Sequence, residues 1–100
     1  MAFQIAIKEE AKQDIDDGMK WYASKAENLD KKFLLAVEET LFRVKQNPFA
    51  FKTAYKKFRQ TAIKRFPYVV LYETEENIVV VYSVFNTWQH PKKKFQRVKK

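Results

Sequence analysis

His90 is the one histidine of the chain. With an unperturbed pKa of about 6.5, it is the side chain suited to take and return a proton at neutral pH. Lys92, Lys93 and Arg59 are the cations that could hold a phosphate beside it, so general-base attack on a phosphodiester is the chemistry this set could perform. The alternative reading is a surface histidine ahead of Pro91 in a basic segment. With one histidine and zero cysteines no metal site is expected, and no motif calls for a cofactor. Arg59 and Arg65 are an even number of residues apart, so on one extended strand they face the same side, with Thr61 and Ile63 between them. Such a pair can hold a phosphate or a partner's carboxylate, or close a structural ion pair with Glu73 or Glu75. Trp88, beside the basic run Lys92, Lys93 and Lys94, can stack on a base or plug an open sheet face. Trp21, off the centre of its helix stripe, can complete a helix edge or anchor a partner helix. Asp14, Asp16, Asp17, Glu38 and Glu39 read as solvated helix carboxylates.

These residues sit in a chain of 100, of which 46% are apolar and 32% charged, enough for one domain with its own core. One glycine excludes a P-loop or a dinucleotide fingerprint, and zero cysteines exclude thiolate catalysis and zinc ribbons. The longest apolar run, Ile78 to Tyr82, falls far short of the roughly 20 residues a membrane helix needs, and no signal-like stretch opens the chain, so a cytoplasmic protein without membrane contact is expected. The formal charge of +8 is uneven: residues 1–50 carry 8 basic and 9 acidic side chains, residues 51–100 carry 12 and 3. The field of the second half attracts a polyanion or an acidic protein partner; the alternative reading is a small soluble protein that is cationic without binding nucleic acid.

The elements that must position these residues follow from periodicity. Phe3, Ile5 and Ile7 alternate with polar or small residues as in a half-buried strand. From Glu9 the apolar spacing changes to three and four, through Ala11, Ile15, Gly18 with Met19, Tyr22 and Ala26, which predicts a helix to about Glu27. Asn28 caps a second helix with the stripe Phe33, Val37, Leu41 and Val44, stopped by Pro48. Gly18 marks a close approach of the second helix. Pro48 to Lys57 reads as a loop anchored by Phe49, Phe51 and Tyr55. Three strands follow: Phe58 to Arg65, Tyr68 to Thr74, and Asn77 to Phe85, the last two joined by a tight turn. Ile78 to Tyr82 is apolar on both faces and so belongs in the sheet centre. The C-terminal segment from Thr87 and a partner are the candidates to cover the sheet face away from the helices. The expected class is α+β, strand, helix, helix, three strands, an antiparallel sheet packed on a two-helix hairpin, in a single domain 1–100 with a basic tail 88–100.

This order, with Ala11, Asp14-Ile15 and Trp21-Tyr22 in the first helix, Phe33, Thr40-Leu41 and Asn47-Pro48 in the second, then Arg59, Arg65-Phe66-Pro67-Tyr68-Val69-Val70-Leu71-Tyr72, Val81 to Phe85 and His90-Pro91-Lys92-Lys93, resembles the RelE/ParE superfamily of toxins from type II toxin–antitoxin pairs. The Phe-Pro-Tyr strand is more similar to the ParE branch. The resemblance implies a growth-inhibiting toxin neutralised by a cognate antitoxin, of the kind that stabilises plasmids. In the ParE branch the target is DNA gyrase, poisoned by binding. In the RelE branch the toxin is an endonuclease acting on mRNA in the ribosome, with an arginine after the tyrosine corresponding to Tyr68 and a His-Arg pair after the last strand. This chain has Val69 and Asn86-Thr87 at those places; valine cannot clamp a phosphate and asparagine takes up no proton at neutral pH. Arg59, Arg65, Asn86, Trp88, His90, Lys92, Lys93 and Lys94 are the candidates for target or antitoxin binding, and Trp21 for a partner-helix contact. The alternatives are the nuclease, with His90 as base, and an inactive interaction module of the same fold.

Overall fold

A computed structural model describes residues 3–87. Its elements run β1 (Gln4–Ile7), α1 (Glu9–Ala23), α2 (Leu29–Gln46), a short 3-10 turn (Pro48–Ala50), β2 (Thr53–Tyr55), β3 (Phe58–Ala62), β4 (Tyr68–Glu75) and β5 (Ile78–Asn86). The α+β class is as expected, with both helices on one face of a single sheet of order β1-β5-β4-β3-β2.

The expected stripes build the core. Ala11 and Gly18 of α1 and Phe33, Val37, Thr40 and Val44 of α2 are buried, and Ile15, Met19, Tyr22 and Leu41 pack against them. Gly18 does what its position implies: a Cβ there would lie 2.7 Å from the Phe33 ring. That ring is held in turn by Tyr22, Phe66 and Tyr68, at centroid distances of 5.2, 5.2 and 4.9 Å. Thr40, buried mid-helix, donates to the Ala36 carbonyl at 2.9 Å, so its hydroxyl is satisfied inside the core.

Four expectations need correction. Helix α1 stops at Ala23, not Glu27, because the Ser24 hydroxyl donates to the Trp21 carbonyl at 2.6 Å and closes the last turn. Asn28 makes no side-chain cap; it lies at φ 66, a left-handed conformation asparagine tolerates, and so turns the chain between the helices. The segment read as a loop contains β2, paired with β3 through a bulge between Thr53 and Tyr55. The sheet is mixed: β1 runs parallel to β5, with Ile5 opposite Val79 and Ile7 opposite Val81.

The expected central position of the last strand holds, since β5 lies between β1 and β4. On the helix side, Val70 opposes Val84 and Tyr72 opposes Val81; on the other side, Val69 opposes Phe85 and Leu71 opposes Ser83. Between Ser83 and Val81 the register slips, leaving Tyr82 as a bulge. Its hydroxyl donates to Glu73 Oε2 at 2.5 Å and its ring meets Phe58 edge-on at 5.1 Å. Glu73 is buried, and Lys57 Nζ stands 3.2 Å from its other oxygen, a charge contact without hydrogen-bond alignment. On the helix side, the buried Tyr72 hydroxyl donates to the Pro48 carbonyl at 2.5 Å and pins the chain leaving α2. The proposed cover from the segment beyond Thr87 lies outside the described residues.

Two predictions follow from this packing. Gly18→Ala should destabilise the fold by about 1–3 kcal/mol, because the caged Phe33 ring has nowhere to move, although helix propensity alone favours alanine by about 1 kcal/mol; urea denaturation measures the sign. Burial pushes the Tyr72 hydroxyl up to about 12, and burial with the Glu73 hydrogen bond does the same for Tyr82. Above pH 10, the usual tyrosine range, the unfolded chain loses protons that the folded chain keeps, so stability should fall as pH rises from about 10 to about 12. Thermal melts across that range should show the fall, and Tyr82→Phe should flatten part of it.

Candidate functional site

Strand β1 ends at Ile7, opposite Val81, so the edge of β5 beyond that point has no strand neighbour. An open edge leaves backbone N–H groups to be satisfied. Helix α1 supplies the partner: Asp14 Oδ2 accepts the Val84 N–H at 3.0 Å. Asp14, expected on a solvated face, is therefore half-buried and structural. Around it Asp17, Gly18 and Trp21 of α1 and Tyr68, Val84 and Asn86 of the sheet line a shallow notch of about 330 Å³. Trp21 stands at its rim, 53% exposed, with the Lys25 ammonium 4.0 Å from its ring centroid. The fold thus brings Trp21 and Asn86, assigned separately from sequence, to one place.

Arg59 and Arg65 are not brought together. Strand β3 ends at Ala62, and Arg65 lies beyond it in the turn to β4, exposed and at φ 75. Arg59 opposes Tyr72, its Nη1 donates to the Phe51 carbonyl at 2.6 Å, and its guanidinium lies 5.4 Å from the Phe49 ring centroid. It ties the β2 approach to the sheet in place of the expected acid partner, since Glu73 is engaged by Lys57 and Tyr82. Arg59→Ala should cost about 1–3 kcal/mol of stability, the range for a lost charged bond to a partly buried carbonyl, read as a lowered urea midpoint.

Arg65 belongs to a second depression. Leu29, Lys32, Leu35, Ala36 and Glu39 of α2 face Lys64, Arg65 and Phe66 of the β3–β4 turn across a groove of about 600 Å³. A neighbouring hollow of about 420 Å³ is lined by Glu38, Glu39, Phe42, Arg43 and Lys64. Leu35 and Phe42 are 57% and 59% exposed. Sequence reasoning missed this groove, and its signal was present: Leu35 and Phe42 lie seven residues apart and roughly 150° from the core stripe at Val37, so both point outward on one face.

Trp88, His90, Lys92, Lys93 and Lys94 lie outside the described residues. Among the described residues no group of three or more acids or histidines is placed to hold a metal ion, and no helix is long and apolar enough to cross a membrane. A tyrosine hydroxyl, an amide and two carboxylates line the notch; apolar surface edged with cations lines the groove.

A family model described as the ParE toxin of type II toxin–antitoxin system, parDE, matches residues 5–90. Toxin ParE2 of Mycobacterium tuberculosis, in strains CDC 1551 / Oshkosh and ATCC 25618 / H37Rv, is 24% identical over 92 residues, covering 91% of this chain and 88% of that one. A solved structure of the chromosomal ParDE TA system from P. aeruginosa is similar with a TM-score of 0.65 at 14% identity, covering 85% of this chain and 96% of that one. At that identity the likeness is one of fold.

Proposed function

The chain belongs to the ParE family of toxins from type II toxin–antitoxin systems, and on that footing we propose that it arrests growth by binding an essential target, DNA gyrase, until a cognate antitoxin covers it. The observation that carries this reading is the family match over residues 5–90, which takes in the strand from Tyr68. Two positions support binding over cleavage. Val69 sits in β4 opposite Phe85, an apolar pair across the strands, so no charge stands there to hold a scissile phosphate. Asn86 closes β5 opposite Tyr68 at the rim of the notch, and an amide there cannot carry a proton through a reaction. The excess of basic residues beyond residue 50 would speed encounter with an anionic surface.

The test compares wild-type chain with His90→Gln at matched expression, with and without co-expression of the protein encoded by the adjoining reading frame. Arrest by both chains, with DNA breaks, intact messages and rescue on co-expression, is the expected result. Ribosome-stimulated message cleavage that falls by about 10²-fold or more in His90→Gln would replace this reading with the nuclease, since a positioned proton-transfer group typically contributes that much.

A further inference from the structure

We propose that the groove between the outer face of α2 and the β3–β4 turn is where the antitoxin docks, through an acidic segment carrying two apolar side chains spaced to meet Leu35 and Phe42. The proposal rests on the reading of this chain as a toxin with an antitoxin and names the surface it uses.

Three observations converge on it. Two apolar side chains project from one face of α2: Leu35 lines the groove with Leu29, Ala36 and Phe66, and Phe42, two helical turns or about 10 Å further along, lines the adjoining hollow, with Glu38 and Glu39 between them. More than half of each of the two outer side chains is in water, an arrangement that costs solubility unless a partner covers it. The rim is cationic: Lys32, Lys64 and Arg65 border the groove, and among the described residues none of the three forms an ion pair. The turn that carries two of them is held in an unfavourable conformation. Arg65, a non-glycine residue, sits at φ 75, and the packing of Phe66 against Tyr22 and Phe33, at 4.9 and 5.2 Å, keeps it there.

Charge identifies the occupant. Arg43 joins the three rim cations, and Glu38 and Glu39 are the acids on the same wall, so the surface favours a segment that is acidic overall. A second copy of the chain fits poorly. Two α2 helices paired about a two-fold axis between Leu35 and Phe42 would set Glu38 and Glu39 against their own copies, and each chain carries +8.

The experiment uses the full chain and the purified protein encoded by the adjoining reading frame, with affinity measured by titration calorimetry. Three variants are compared with wild type: Leu35→Ser with Phe42→Ser, Lys64→Glu, and Glu10→Gln at the start of α1, away from both depressions. All four residues are exposed, and unchanged far-ultraviolet dichroism and melting confirm each fold. The double serine variant should lose about 10²-fold or more in affinity, Lys64→Glu about 10-fold, with weaker salt dependence, and Glu10→Gln little. Wild-type binding that persists unchanged in the double variant and in Lys64→Glu would overturn the groove while leaving the toxin–antitoxin reading intact. Failure of the wild-type chain to bind at all would overturn both. A homodimer of the chain alone that dissociates in the double variant would assign the groove to a second copy instead.

Discussion

The two helices meet where a position without a side chain faces an aromatic ring. Gly18 lets Phe33 lie against α1, and Phe33 then meets Tyr22, Phe66 and Tyr68 in one cluster. Both surface depressions depend on that contact. Phe66 is the inner wall of the groove beside α2, and its seat in the cluster sets the path of Lys64 and Arg65. Tyr68 and Gly18 itself are the floor of the notch on the opposite side. An added methyl group would press on a ring held from three directions, so strain at this point would reach both surfaces through side chains that have little room to relax.

What could be read from the amino-acid order is what local periodicity encodes. The stripes of α1 and α2, the existence of the three later strands, the tight turn between the last two and the role of Gly18 all follow from side-chain spacing or from the cost of one residue type. The parallel pairing of β1 with β5 joins the first element to the last, and no spacing within either strand records it. Strand β2 is three residues long and bulged, too short to show a period of two. The Arg59 and Arg65 pairing failed for a related reason. Parity holds only while the strand continues, and Ala62 ends it. Asp14 resembled its exposed neighbours because its partner is a backbone N–H in the final strand, 70 residues away.

Sheet edges and a buried charge explain several polar residues that would otherwise invite functional readings. Asp14 completes the edge of β5 where β1 runs out. Glu73, nearly inaccessible, is matched by the Tyr82 hydroxyl on one oxygen and the Lys57 ammonium near the other. A buried carboxylate without such partners would be costly. Arg59 performs the corresponding service for the Phe51 carbonyl. Once these are assigned to the fold, the cations without an ion pair or ring contact among the described residues gather at the β3–β4 turn and along α2.

That separation bears on how a small basic chain can be both stable and available for binding. Its core closes with Leu35 and Phe42 left outside and with Trp21 exposed beneath the Lys25 ammonium, so a partner can cover or uncover these side chains without disturbing Phe33 or the sheet. A net charge of +8 opposes association of the chain with itself, which allows apolar side chains to stay exposed where a neutral chain would tend to aggregate. The same charge favours acidic partners. Affinity on such a surface comes from the apolar side chains, and choice of partner from the cations around them. Neutralisation by an acidic segment would use both at once, covering Leu35 and Phe42 while cancelling the charge that draws the toxin toward an anionic target.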